Sequence, residues 1–253
     1  MSKQPVTVDE GRAVIAAIEA RPTEHLVLEN DKFRKYALEF PLLGASTKYT
    51  VDVISPATDR DVAKYQRQRF VMKTETYATF VAQTARYIAS IPEREYAWIF
   101  NILDGVAERE NILLETPEYV GVLDYKWDKQ NPREVYGLIL VRDHALHSLR
   151  ALTGAHLPML RDMGARMLPV LAERFGLAPE EVVTFVHYIP SFWHFHVHFC
   201  SIYSPFFQGA NVTIGRAIPL DSIIQSLETD PAYYQKVALR VKINLLHPLI
   251  EYL

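Results

Sequence analysis

The stretch His187-Tyr-Ile-Pro-Ser-Phe-Trp-His194-Phe-His196-Val-His198-Phe199 constrains this chain more than any other. Histidines at 194, 196 and 198 alternate with Phe195, Val197 and Phe199. Successive strand side chains point to opposite faces, so the pattern predicts a half-buried β-strand, imidazoles on one face and apolar groups on the other. Residues two apart on a strand lie roughly 6.6 Å from each other, a spacing at which a row of rings can track a chain of phosphates. Four of the nine histidines fall between 187 and 198. A chance cluster of core histidines is the weaker reading, because each buried imidazole would need its own hydrogen-bond partner.

A neutral imidazole is a good nucleophile near pH 7, and a reference pKa of about 6.5 lets neighbouring rings differ in protonation. That suits phosphoryl chemistry. His196 attacks a phosphorus to give a nucleotidyl-histidine, a flanking protonated histidine donates to an oxygen, and water releases the product. The competing chemistry is a metal site, since His-x-His on a strand can present two imidazoles to zinc or iron. Residues 199–205 offer no Asp or Glu to complete such a site, and Cys200 is its candidate soft ligand.

Composition narrows the ligand. A 49% hydrophobic and 23% charged chain of 253 residues can bury a sizeable core, and no apolar run approaches the roughly 18 residues of a membrane span. The first residues lack the apolar centre of a secretory signal, and the single Cys200 permits no internal disulfide. A reducing location is expected, the cytoplasm first and the nucleus beside it. The formal charge of −3 gives no basic face for long nucleic acid, so any nucleotide ligand should be short.

Along the chain, Thr7-Val-Asp-Glu10 has capping-box spacing and opens a helix up to Arg21-Pro22. From Glu24 to Ile54 the pattern is β, and Thr58 with Asp59 can cap a helix running through Val62 towards Met72. Helices are expected over Tyr77–Ile91 and from Pro92 through Trp98 and Ile102 to Glu108. Asn111–Leu114, Tyr119–Tyr125 and Val135–Val141 read as strands of an antiparallel sheet. A long helix over Leu157–Leu171, bent at Pro169, ends before Gly176, and Val182–Tyr188 with His194–Ser201 complete the sheet. Helices near Leu220–Leu227 and Tyr233–Asn244 close the chain.

His194 to Cys200 resembles the hallmark of the histidine triad superfamily. The likeness extends to the scavenger mRNA decapping enzymes within it, through His187-Tyr-Ile-Pro-Ser191, Asp124-Tyr-Lys-Trp127, Ser148-Leu-Arg-Ala-Leu-Thr153 with His156-Leu-Pro158, Trp98-Ile-Phe-Asn-Ile-Leu-Asp104, and Ser55-Pro-Ala-Thr58 with Lys64-Tyr65. The resemblance implies an α+β fold. Residues 67–253 would form a catalytic domain with a triad-type antiparallel sheet and helices, and residues 1–66 a small α/β domain that dimerises and acts as a lid. It further implies a homodimer that cleaves the 7-methylguanosine cap of cap dinucleotides and short capped RNA, without a metal or other cofactor, giving 7-methylguanosine monophosphate and a 5′-diphosphate product.

By the same resemblance, His196 is the nucleophile, His194 and His198 orient and donate, and His187 with Ser191 supports the triad and binds phosphate. Lys126 and Arg216 contact phosphates, as do Lys64 and Arg67, although exposed helix charges are more often a solvated face. Guanine methylated at N7 is cationic, so Trp98 would stack on it by cation–π and Glu108 would accept from its ring donors. A lone Trp98 would otherwise be a core anchor. Asp124 would hold ribose or base, and Asn30 would reach the base from the mobile domain. Three departures from the family stand out: a shortened N-terminal segment, which would reduce the domain swap; Tyr125 where a Leu commonly flanks the base; and Phe192-Trp193 in place of a Tyr pair. Other readings are a dinucleoside polyphosphate hydrolase of the same superfamily and a non-catalytic cap-binding protein.

Overall fold

The computed structural model describes residues 12–13, 15–16, 26–40, 47–59, 61–62, 69–127, 129–209 and 212–253. The chain divides into two compact units, Met1–Lys64 and Tyr65–Leu253. Most of the helix expected from Thr7 to Arg21, together with Lys64 and Arg67, lies outside the described residues.

The smaller unit contains an antiparallel meander of β1 (Leu26–Asn30), β2 (Phe33–Phe40) and β3 (Thr47–Ile54). Asp31, at φ 53°, and Lys32 make the turn between β1 and β2. Lys32 donates to Asp61 at 2.8 Å, and Asp61 also accepts from the Thr58 backbone and hydroxyl. Thr58 and Asp61 thereby close a helix start reciprocally, the job their spacing suits.

In the larger unit a six-stranded antiparallel sheet carries the site. Its strands are β5 (Ile112–Glu115), β6 (Tyr119–Leu123), β7 (Tyr136–Val141), β8 (Val182–His187), β9 (His196–Ser201) and β10 (Ala217–Pro219), in the order β10-β8-β9-β7-β6-β5. Across β7 and β9, Leu140 pairs with His196, Leu138 with His198 and Tyr136 with Cys200. These residues share a face, and Val197 and Phe199 lie on the other with their partners Ile139 and Gly137. That second face belongs to a long helix, Leu157–Phe175, which buries Leu160, Met163, Met167 and Leu171. Gly121 on β6 is what lets it approach, since a Cβ there would stand 2.2 Å from the Met167 methyl. Tyr119 adds a hydrogen bond to Asp162 of the helix at 2.7 Å. The helix ends where Gly176 turns left-handed at φ 65°, a conformation that costs glycine nothing.

Four expectations change. Phe70–Glu75, the end of the expected helix towards Met72, is a strand, β4, and it pairs with β11 (Leu239–Asn244) where a helix from Tyr233 was expected. Leu239, Val241 and Ile243 alternate with polar residues, so period two prevails there over the helical reading. Glu108 lies beyond the helix Ala97–Leu103, at φ 57°. β9 begins at His196, leaving His194 in the preceding turn, and it is buried along its whole length rather than half-buried.

A buried ion pair ties the unit together. Glu75, the last residue of β4, accepts from Arg150 Nε at 3.0 Å, from the Tyr188 hydroxyl at 2.5 Å and from Thr84 Oγ1 at 2.6 Å. Arg150 also donates to the carbonyls of Glu75, Tyr234 and Val237 at 2.7–2.8 Å. Neither charged side chain is exposed at all. Removing one partner strands the other charge out of water, so Arg150→Ala is expected to cost on the order of 3–5 kcal/mol, read from the urea midpoint. A loss below about 1 kcal/mol would show that the pair is not what holds these segments.

Candidate active site

The site grows from the centre of the sheet. On β9 and its neighbours, His198 lies between Phe185 of β8 and Tyr136 of β7, with ring centroids at 5.0 and 5.9 Å and planes within 16° of parallel. His187, at the end of β8, meets His198 at 4.2 Å, and His196 meets it at 4.8 Å. The segment from Tyr188 to Trp193 then returns over the sheet, held at one end by the Tyr188 hydroxyl on Glu75 and at the other by the Phe195 amide on the Leu146 carbonyl.

Hydrogen bonds set the state of each ring. His196 Nδ1 lies 2.7 Å from the His194 carbonyl oxygen. A carbonyl can only accept, so Nδ1 carries the proton and Nε2 presents its lone pair, which a nucleophile requires. His194 Nε2 likewise faces the Val141 carbonyl at 2.7 Å and holds the proton on that side. His198 Nδ1 is 2.9 Å from the Tyr136 hydroxyl. The tautomer in which Tyr136 donates leaves the His198 proton on Nε2. That nitrogen is buried and, among the described residues, has no hydrogen-bond partner; Arg216 Nε is in the same condition. Arg216 bears electrostatically on this ring, and two orphaned buried nitrogens call for an acceptor with several oxygens.

Burial also sets the charge. Desolvation takes His194 and His196 down to about 4, against the hydrogen bonds they make to carbonyls, and His198 falls well below its ordinary value, with His187, His196, Lys126 and Arg216 adding to the effect. All three rings are therefore neutral at pH 7 in the free protein. The expected protonated flanking histidine is absent until something anionic arrives. Cys200 is equally inert as a thiolate, its thiol pushed up to about 11 by burial.

Several of the expected ligand groups gather here. The Asp124 carboxylate is buried and pairs with Lys126 Nζ at 3.1 Å, while the lysine keeps 39% of its side chain exposed and lies 5.1 Å over the Tyr125 ring. Phe192 stacks on His196 at 4.1 Å, and Trp98, half-buried, meets the Phe192 edge at 4.9 Å. An aromatic path thus leads from Trp98 to the candidate nucleophile. Ser191 is exposed in the turn just before it. Glu108 accepts from the buried Asn111 amide at 3.2 Å, and Asn111 in turn accepts from Lys129 at 2.6 Å. Asn30 closes β1 in the smaller unit. Tyr136 and Phe185, the walls of His198, were not among the expected site residues, although the parity of Tyr136-Gly-Leu-Ile-Leu-Val141 against the histidine strand carries the signal.

A triad of this sequence leading into the central strand of an antiparallel sheet is the mark of a histidine triad protein. The family described as "Scavenger mRNA decapping enzyme C-term binding" matches residues 97–211. Proteins named "m7GpppX diphosphatase" align along the chain. The one from Bos taurus is 30% identical over 257 residues, covering 100% of this chain and 74% of its own. Those from Caenorhabditis elegans and Schizosaccharomyces pombe are 33% and 30% identical, covering 84% and 89% of this chain and 68% and 75% of their own. The chain belongs to the scavenger mRNA decapping enzyme family. A solved structure titled "Hnt3 in complex with DNA and guanosine" covers 54% of this chain and 79% of its own at 15% identity, with a TM-score of 0.36, too distant to add to the fold.

The three depressed histidines bear on stability. The unfolded chain, with ordinary histidines near 6.5, binds more protons than the folded one between that pH and about 4. Stability is therefore complete above pH 6.5 and falls as pH drops, by up to about 1.4 kcal/mol per pH unit for each ring. Urea midpoints at pH 7.5, 6 and 5 measure this, and a flat profile would mean the rings are charged in the folded protein.

Proposed function

We propose that this protein hydrolyses the triphosphate bridge of N7-methylguanosine cap dinucleotides and short capped oligonucleotides, releasing 7-methylguanosine monophosphate and a nucleoside or oligonucleotide 5′-diphosphate. The observation that carries the reading is the His196 Nε2 lone pair, fixed by the His194 carbonyl, on a floor where His198 Nε2 and Arg216 Nε await acceptors. The names of the relatives supply the substrate class.

In the first step Nε2 of His196 forms a bond to the phosphorus next to the methylated nucleoside, and the bond from that phosphorus to the bridging oxygen breaks. The diphosphate leaves with the electron pair. The imidazole becomes cationic as it attacks, and the carbonyl already accepting from Nδ1 stabilises that charge without rearrangement. His198, Arg216, Lys126 and His187 surround the phosphoryl oxygens, with Ser191 donating from the turn. Water then attacks the phosphorus, breaks the nitrogen–phosphorus bond and regenerates His196. The incoming phosphates raise the depressed histidine pKa values, so the proton needed at a flanking ring arrives with substrate.

The cationic base stacks on Trp98, Glu108 accepts from its edge and Tyr125 lies across it, with Asp124 at the ribose. Asn30 is assigned to the base and Lys64 and Arg67 to the phosphates, in a homodimer of cytoplasmic or nuclear location. The net charge of −3 agrees with a short ligand.

Product chromatography with chelator present, using a methylated cap dinucleotide, its unmethylated counterpart and a diadenosine polyphosphate, tests the reading. Methylguanosine monophosphate is expected from the first alone; equal cleavage of all three would make the protein a general dinucleoside polyphosphate hydrolase. His196→Asn should abolish turnover with cap affinity near that of the parent, and an active variant would refute the nucleophile. Trp98→Ala should weaken cap binding by about 1–3 kcal/mol in calorimetry, the range for losing a stacked base, whereas unchanged affinity would make Trp98 a core anchor.

A further inference from the structure

Asn111, expected only as the start of a strand, holds Glu108 from two sides. It is 1% exposed. Its backbone amide donates to the Glu108 carbonyl at 2.9 Å, and its side-chain Nδ2 donates to Glu108 Oε2 at 3.2 Å. Beyond it, Asn111 Oδ1 accepts from Lys129 Nζ at 2.6 Å. An ammonium can only donate and a carboxylate can only accept, so the amide between them has a single consistent orientation.

This amide joins the two segments to which the base site is assigned. Glu108 comes from the chain leaving the helix Ala97–Leu103, where Val106 and Ala107 both donate to the Asn101 carbonyl, one helical turn along from Trp98. Lys129 comes from the connection between β6 and β7, which carries Asp124, Tyr125 and Lys126. The backbone is strained at both ends of the bridge. Glu108 at φ 57° and Lys129 at φ 62° are left-handed, and among the described residues other than glycine only Asp31 shares that conformation. Such residues hold it where their surroundings over-determine it, and they gather at ligand clamps. Two of the three here flank one buried amide.

We infer that Asn111, braced by Lys129, is the positioning residue that sets the Glu108 carboxylate for a two-point contact with the edge of the methylated base. The inference rests on the proposed cap hydrolysis and adds the residues that enforce its choice of guanine. Guanine offers two neighbouring donors, the ring N1–H and the 2-amino group, and a carboxylate meets both at once when its plane is fixed. A neutral amide fixes that plane without setting a positive charge against a cationic base, as an Arg or Lys at 111 would. Lys129 acts on the carboxylate through the amide, so its loss loosens the contact.

Calorimetry of the full-length protein with 7-methylguanosine monophosphate and 7-methylinosine monophosphate, at a pH where both bases keep the N1 proton, tests this. The two nucleotides stack alike on Trp98 and carry the same phosphate, but the second lacks the 2-amino donor. Damage to the fold or to stacking therefore cancels in the ratio of their affinities. The parent is expected to favour the guanosine nucleotide by about tenfold or more, the worth of one hydrogen bond to a charged acceptor. Asn111→Leu should abolish most of that preference, and Lys129→Met should lower it by at least about threefold. A ratio unchanged in both variants would overturn the positioning role, as would an equal loss for both nucleotides on Lys129→Met, which is a phosphate effect. A parent that binds unmethylated guanosine monophosphate as tightly as the methylated nucleotide would instead refute the cap reading, a separate failure. Should Asn111→Leu not fold, Lys129→Met, a change at an exposed residue, decides alone.

Discussion

The Glu75–Arg150 pair is the interaction on which the geometry of the larger unit depends. Two charges with no exposure gain less from each other than water would give them unless further hydrogen bonds satisfy them, and here each side chain makes several. Glu75 takes donors from Thr84, Arg150 and Tyr188, and Arg150 caps carbonyls near the chain's end. Segments far apart in sequence therefore meet in an arrangement that leaves neither charge stranded. Tyr188 is the link to function. Its hydroxyl anchors the start of the turn that carries Ser191, Phe192 and His194, so the position of the His194 carbonyl, and with it the proton on His196 Nδ1, follows from a pair buried outside the site.

Burial that fixes the rings also discharges them. A strand covered on both faces cannot keep three imidazolium ions, and His196 at about 4 is a free base throughout the physiological range. His196 is thus always a free base, and under the proposed mechanism the cations that meet a phosphate chain are Lys126 and Arg216 rather than the triad itself. Lys126 is paired with buried Asp124, which holds its ammonium near the rings without neutralising the whole rim.

The catalytic half of the fold was legible because its signals are local. Alternation along His194–Phe199, the capping glycine at 176 and the apolar faces of the long helix each depend on neighbours within one or two turns. β4 was missed because it is defined by its partner across the length of the unit, and Phe70-Val-Met-Lys-Thr-Glu75 taken alone has no pairing to show, whereas β11 carries a local alternation that competes with the helical reading. Asn30, Lys64 and Arg67 belong to a part of the chain where spacing says little about place. Trp98 and Phe192 were visible as aromatic residues; their meeting over His196 is a consequence of the pinned turn, which no local pattern carries.

The expectation of one row of three histidines fails at its first member, and the failure is informative. Strand alternation would set His194 beside His196 on a common face, but β9 begins only at His196, and His194 turns its ring to Phe100 and His144 while its carbonyl serves His196. Backbone and side chain of one residue thereby face two different spaces. The carbonyl sets the tautomer of His196, and the imidazole, held by the Val141 carbonyl, forms part of a second wall. The break in the ladder is what allows one short segment to set the tautomer of His196 and to border a separate aromatic cavity.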